Sequence, residues 1–151
     1  MRQVAGEPYK TVGQQQVEVS GSVGAGLARI PDLDDLRRDY ARLFVGPYRV
    51  LAPPYGSIYL EQNWQIMGLS TLDVMERYRR NGVTLAEDFR EVADHIAAEL
   101  EFLSFLSFKE IDALQDQDPE GAAEAAMERD HFLQEHLGAW VSDFASQVEE
   151  N

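Results

Sequence analysis

Asp94 and His95 are neighbours in the sequence, with Glu91 three residues before Asp94 and Glu99 four residues after His95. Carboxylates beside an imidazole can ligate a divalent metal, move a proton or hold a cationic guest. His131, Glu135 and His136 offer a second set further along. Glu91 with His95, and His95 with Glu99, have the spacing that shares one face of a helix. The metal reading then weakens on geometry. A helical di-iron site needs Glu-x-x-His on two helices, and this chain does not supply the pair. His131 and His136 lie about 140° apart around a helix, poorly placed to ligate together. There is no His-Glu-x-x-His, no Gly-x-Ser-x-Gly and no Gly-Lys-Ser/Thr phosphate loop. No metal, cofactor or catalytic residue is therefore expected, and a carboxylate–histidine metalloenzyme stands as the weaker alternative.

Binding chemistry fits better. Asp94 can cap a helix start through its carboxylate, with His95 projecting from the first turn. The plainer reading gives both residues to the helix start alone. Pro53-Pro54-Tyr55-Gly56-Ser57-Ile58-Tyr59 is a second candidate. Tyrosines beside a proline-stiffened loop offer apolar area and a hydroxyl at low entropic cost, which suits peptide recognition. The plainer reading puts Tyr55 and Tyr59 in the core and makes Ser57 a cap; the two readings are compatible.

The elements that must position these residues are helical. Pro31 opens a helix with Asp32, Asp34 and Asp35 in its first turn. Leu33, Leu36, Tyr40 and Leu43 form its apolar stripe, and Gly46-Pro47 ends it. Pro53-Pro54 holds the chain extended, and Ser57 to Trp64 starts a short helix. Ser70 and Asp73 imitate a capping box for a helix that presents Leu72, Met75 and Tyr78 and stops at Asn81-Gly82. The best helix begins near Asp94 and carries Ile96, Leu100, Leu103 and Leu106, widened by Phe102 and Phe105. Asp116-Gln-Asp-Pro119 interrupts it. A last helical stretch runs from Glu120 through Trp140, Phe144 and Val148, with Gly138 as its weak point. Met67, Met75 and Met127 are expected as core filler, and Arg77, Arg79 and Arg80 as a solvated helix end. The expected fold is an all-α, single-domain helical bundle over 31–151. A weakly ordered segment, residues 1–30, precedes it, because Gln14-Gln-Gln16 and Gly21-Ser-Val-Gly-Ala-Gly26 show no helical period.

Composition narrows the partners. The 151 residues include no cysteine, so disulfides, thiolate metal sites and a cysteine nucleophile are excluded. No apolar run approaches the ~20 residues of a membrane-spanning helix, and no secretion signal opens the chain. The formal charge of −14 is lopsided: residues 1–86 carry 10 basic and 9 acidic side chains, residues 87–151 carry 3 and 18. Such an acidic half repels nucleic-acid phosphates and anionic membranes. It attracts a basic partner, or simply keeps the protein soluble. The cytoplasm is the expected location.

Several fragments in register resemble the TorD/DmsD/NarJ family of molybdoenzyme maturation chaperones. They are Tyr40-Ala-Arg-Leu-Phe-Val-Gly-Pro47, Ala52-Pro-Pro-Tyr-Gly-Ser-Ile-Tyr-Leu60, Glu91-Val-Ala-Asp-His-Ile-Ala-Ala-Glu-Leu-Glu-Phe-Leu103 and Phe132-Leu-Gln-Glu-His-Leu-Gly-Ala-Trp140. The resemblance covers Tyr40 to Val148. It implies an all-helical, non-catalytic TorD-like domain that binds the twin-arginine leader peptide or apo-form of a molybdopterin-dependent oxidoreductase, aids cofactor insertion and delays export. It also implies a peptide groove at Asp94, His95 and Glu91, lined by Tyr55, Ser57 and Tyr59 and more weakly by Trp64. The family usually has proline just before its Asp-His pair, where this chain has Val92-Ala93. The family's usual N-terminal helices have too few residues here, which leaves a homodimer open. The competing interaction reading is a general helical adaptor or oligomerisation module.

Overall fold

The computed structural model describes residues 32–46, 50–61 and 65–151. The chain divides into two units, Met1–Asp32 and Leu33–Asn151, and every element described lies in the second. The weakly ordered lead-in expected over 1–30 falls outside the described residues, and so does Trp64.

Among the described residues there are six α-helices and no strand. They are α1 (Leu33–Tyr40), α2 (Gly56–Leu60), α3 (Leu69–Arg80), α4 (Ile96–Gln115), α5 (Pro119–Glu135) and α6 (Leu137–Glu150), with a π-helical turn at Ala41–Val45 after α1. The packed pairs are α4 with α5, α5 with α6, α2 with α6 and α3, and α4 with α6. The all-α bundle expected from periodicity is what the chain forms.

The helix boundaries follow from capping chemistry. After α3 comes Gly82 in the left-handed region, φ 74°. The Val83 N–H donates to Tyr78 O (3.0 Å) and the Gly82 N–H to Arg79 O (3.1 Å), the paired bonds of a Schellman stop. The end of α4 uses the same motif without glycine. Gln117 takes φ 60°, and Asp118 N–H reaches Ala113 O at 2.8 Å. Asp118 then turns from stop to start, because its Oδ1 accepts from Gly121 N–H (3.0 Å) with Pro119 in the first turn of α5. The α4–α5 hairpin therefore needs only a tight connection. The break near Gly138 also exists: His136, at φ −118° and ψ −103°, separates α5 from α6.

The core gathers Val74 and Tyr78 of α3, Phe102 and Leu106 of α4, Phe132 of α5, and Ala93 from the loop before α4. Rings meet there, Phe102 edge to face with Phe132 at 4.8 Å between centroids and tilted against Tyr78 at 4.6 Å. A second aromatic layer stacks Tyr59 on Trp140 (5.4 Å) and brings Phe44 to Phe144 (6.1 Å).

Several sequence expectations need correction. The stripe Leu33, Leu36, Tyr40 is exposed, and only Leu43 is buried. The π-helical turn adds a residue per turn after Tyr40, so it is Leu43 and Phe44 that swing inward. In α3 the buried face is Thr71, Val74 and Tyr78, while Leu72 and Met75 face out. Leu100 of α4 is likewise exposed, as are Met67 and Met127. The capping box at Ser70 does not form. Glu61 supplies the cap instead, its Oε1 accepting from Ser70 N–H (2.9 Å) and Oγ–H (2.7 Å), which holds the Glu61 carboxyl below its usual range. The helix starts earlier than expected, with Gly68 as its N-cap, so Ser70 is already in the first turn and Asp73 is free to pair with Arg77 (2.9 Å) and His136 (2.8 Å). Arg77 is no solvated end either, since it also bridges to Glu128 and Glu135 on α5.

Candidate functional site

Two loops far apart in sequence meet at one point. Tyr55 and His95 form an isolated antiparallel bridge. Its backbone bonds are Gly56 N–H to Asp94 O and Ile96 N–H to Pro54 O, both 2.9 Å. The prolines explain the second bond: Pro53-Pro54 stay extended, so the Pro54 carbonyl points outward to receive a donor. The orphan N–H of the first α4 residue is that donor.

Around this bridge the expected residues divide. Tyr55, Glu91 and His95 form the accessible part. The Tyr55 hydroxyl donates to Glu91 Oε2 at 2.6 Å, and its ring packs edge-on against the His95 imidazole at 5.3 Å. Burial, then the bond to Glu91 and its charge, push the Tyr55 phenol up to about 12, so the hydroxyl stays a donor. His95, and not Asp94, is the N-cap of α4: its Nδ1 accepts the Ala97 N–H at 3.1 Å. Burial lowers its basicity against the opposing charges of Glu91 and Asp94. A ring that accepts at Nδ1 and is neutral carries its proton on Nε2.

Asp94 and Ser57 lie beneath. Asp94 is 1% exposed, and its Oδ2 accepts the Ser57 N–H at 2.7 Å. The expected capping role is real but serves α2, across the bridge, and not α4. Ser57 is fully buried, so neither side chain can touch a guest directly. Tyr59 belongs to the aromatic layer on Trp140, with its hydroxyl on Gln147 Oε1 at 3.1 Å, and is brought next to none of the others by a direct bond. Trp64 lies outside the described residues.

Sequence reasoning missed two features. Glu99 is fully buried on the inner face of α4, with Oε2 accepting from Trp140 Nε1–H at 3.1 Å. Desolvation, reinforced by Asp94 against the Trp140 bond, pushes its carboxyl up to about 8. The signal was present, because Glu99, Phe102 and Leu106 share the spacing of one helix face. The second feature is a cavity of about 440 Å³ between the 83–89 segment and α4, to which Phe89, Phe102 and Phe105 contribute. None of the expected residues lines it. No signal could have found it, as residues 83–95 have no periodicity. Phe89 connects the two places, its ring also lying edge-on to His95 at 6.0 Å. Among the described residues no cluster of three or more His, Asp or Glu is arranged to hold a metal, and no helix is long and apolar enough to cross a membrane.

Comparison with known proteins adds to this geometry. The family model described as nitrate reductase delta subunit matches residues 21–146. The chain is 31% identical to the chaperone protein TorD of Vibrio vulnificus over 128 residues, 82% of this chain and 58% of that protein. It is 38% identical to the chlorate reductase assembly chaperone protein of Ideonella dechloratans over 96 residues, 62% of this chain and 48% of that one. A 74-residue stretch, 49% of this chain and 36% of the relative, is 34% identical to the Tat proofreading chaperone DmsD of Salmonella typhi. The chain thus spans between a third and three-fifths of the length of these relatives.

Proposed function

The chain belongs to the nitrate reductase delta subunit family, which includes the TorD-like proteins, and from that premise we propose that it is a maturation chaperone for a molybdopterin-dependent oxidoreductase. In this reading it works in the cytoplasm, binds the apo-enzyme or its twin-arginine leader, favours cofactor insertion and delays export. It does so by binding and release, with no bond chemistry. A second copy of the chain is a further proposed partner, through the apolar outer face of α4.

The observation that supports leader binding is the Tyr55–His95 bridge, which gathers an exposed carboxylate, a phenol and an imidazole N–H on one surface. Glu91 offers a guanidinium a charge-assisted contact. The Tyr55 ring offers its aliphatic stem a flat apolar surface, and Nε2–H of His95 can donate to a peptide carbonyl. Asp94 is a positioning residue here, fixing α2 and thereby Tyr55.

Burial decides which variant tests the idea. Asp94→Ala would remove a buried cap and cost roughly 1–2 kcal/mol of stability, confusing binding with folding. Glu91 is exposed, so Glu91→Gln should leave the melting temperature almost unchanged. Isothermal titration with a synthetic peptide bearing paired arginines should then show affinity reduced about tenfold or more, the worth of one charged hydrogen bond. Equal affinity in the variant and the parent protein would remove the proposed cleft from consideration.

A further inference from the structure

We infer that the cavity under the 83–89 segment is a second subsite, which takes bulky apolar side chains from a basic client segment held at the Tyr55–His95 surface. The inference rests on the proposed function and extends it to a place that surface does not include.

The volume of about 440 Å³ falls within the ~300–1,000 Å³ of ordinary ligand pockets. That is room for more than one large side chain. Its floor is rigid: Tyr78 and Phe102 belong to the core and are 5% and 3% exposed. The Tyr78 hydroxyl is already committed to Ala93 O at 3.0 Å, so the floor offers the guest hydrocarbon and ring faces. Phe89 and Phe105 are partly buried side walls. The recess is partly open to solvent, so a guest can reach its aromatic floor.

The mouth identifies the guest. Glu87 and Glu101, both exposed, are the charged residues that line it, and no Lys or Arg does. An apolar interior with a carboxylate rim suits a greasy side chain flanked by a cation and disfavours an acidic or phosphorylated ligand. Continuity with the first surface is physical, because Phe89 contributes to the cavity and packs against the His95 ring at 6.0 Å. A segment whose arginine meets Glu91 can pass over Phe89 and place its next bulky residues in the cavity.

The test uses methyl NMR on the full chain, following Val83 and Leu85 in the cavity and Ile96 beside His95. Two peptides are compared, both with paired arginines, one followed by Leu and Phe and the other with serines in their place. The expected result is tighter binding of the Leu/Phe peptide by roughly 10–100-fold, the worth of burying one such side chain. Val83 and Leu85 should shift with that peptide only. Ala86→Trp, at an exposed residue on the cavity wall, should abolish the difference between the peptides and spare the weaker, charge-driven binding. Binding with shifts at Ile96 alone, or a preference that survives Ala86→Trp, overturns the subsite and leaves the proposed function standing. If neither peptide binds, the proposed function fails, and phenethylammonium decides the cavity separately. Shifts at Val83 and Leu85 with that small apolar cation support the subsite, and silence there overturns it.

Discussion

Glu99 is a carboxylic acid whose proton the fold holds far more tightly than water would. Its carboxyl is pushed up to about 8 by burial, while in the unfolded chain it titrates near its ordinary 4.5. A raised acid binds its proton more tightly in the folded state, so its contribution is fully present below about 4.5 and is lost as pH climbs towards 8. Thermal unfolding followed from pH 5 to pH 9 should therefore show stability falling across that window, on top of the other titrations. Glu99→Gln keeps an acceptor for Trp140 and cannot ionise. That variant should flatten the decline and gain stability at pH 8, on the order of a few kcal/mol at most. A parallel pH profile for parent and variant would contradict the assignment. At this scale the sequence was half legible. The Asp94–His95 pair was legible as the entrance to a helix, and the structure brings it beside Tyr55. The pair alone could not say that Asp94 faces inward to α2 while His95 caps α4, because that choice depends on where Pro54 and Ser57 arrive from 37 residues away.

Among the helices, α3 and α4 stop by the same motif with different residues in the left-handed position, Gly82 in one and Gln117 in the other. A side chain there costs roughly 1 kcal/mol or more from the contact between Cβ and the following carbonyl. Gln117→Gly should raise stability by about 0.5–1 kcal/mol, net of the extra freedom glycine gives the unfolded chain. Urea unfolding measures this through the midpoint. A midpoint that falls would mean Gln117 makes contacts that outweigh the strain. The helix map itself was largely readable: the stop at Asn81-Gly82, the break at Asp116 to Pro119 and the weak point near Gly138 all appear. What misled was the choice of face. Leu72, Met75 and Leu100 are strong apolar signals on outward faces, whereas Thr71, Ala98 and Glu99 are weak or contrary signals on inward ones. Close packing of α2, α5 and α6 favours small residues at the contact, and small residues carry little hydrophobic signal. The π-helical turn shifted the phase after Tyr40 for a reason no fixed period can anticipate.

For the molecule as a whole, two properties act against each other. A formal charge of −14 drives copies apart, while Leu100, Phe108, Ile111 and Leu114 leave the outer side of α4 apolar, at 46–59% exposure. Salt screens the first and leaves the second intact. Light scattering should accordingly give a mass near 17.1 kDa in dilute, low-salt buffer that rises towards twice that value with protein and salt. Ile111→Glu should hold the mass at the lower figure throughout. A parent protein that stays at 17.1 kDa under all conditions would remove α4 as a self-association face. The backbone bridge of Tyr55 and His95 has a mechanical corollary for the proposed role. Its two backbone hydrogen bonds pin both walls to each other, so the recess cannot gape like a jaw to let go of its tail. Departure must proceed by peeling, one anchor after another, and a puller at the tail's free end would feel a succession of small yields.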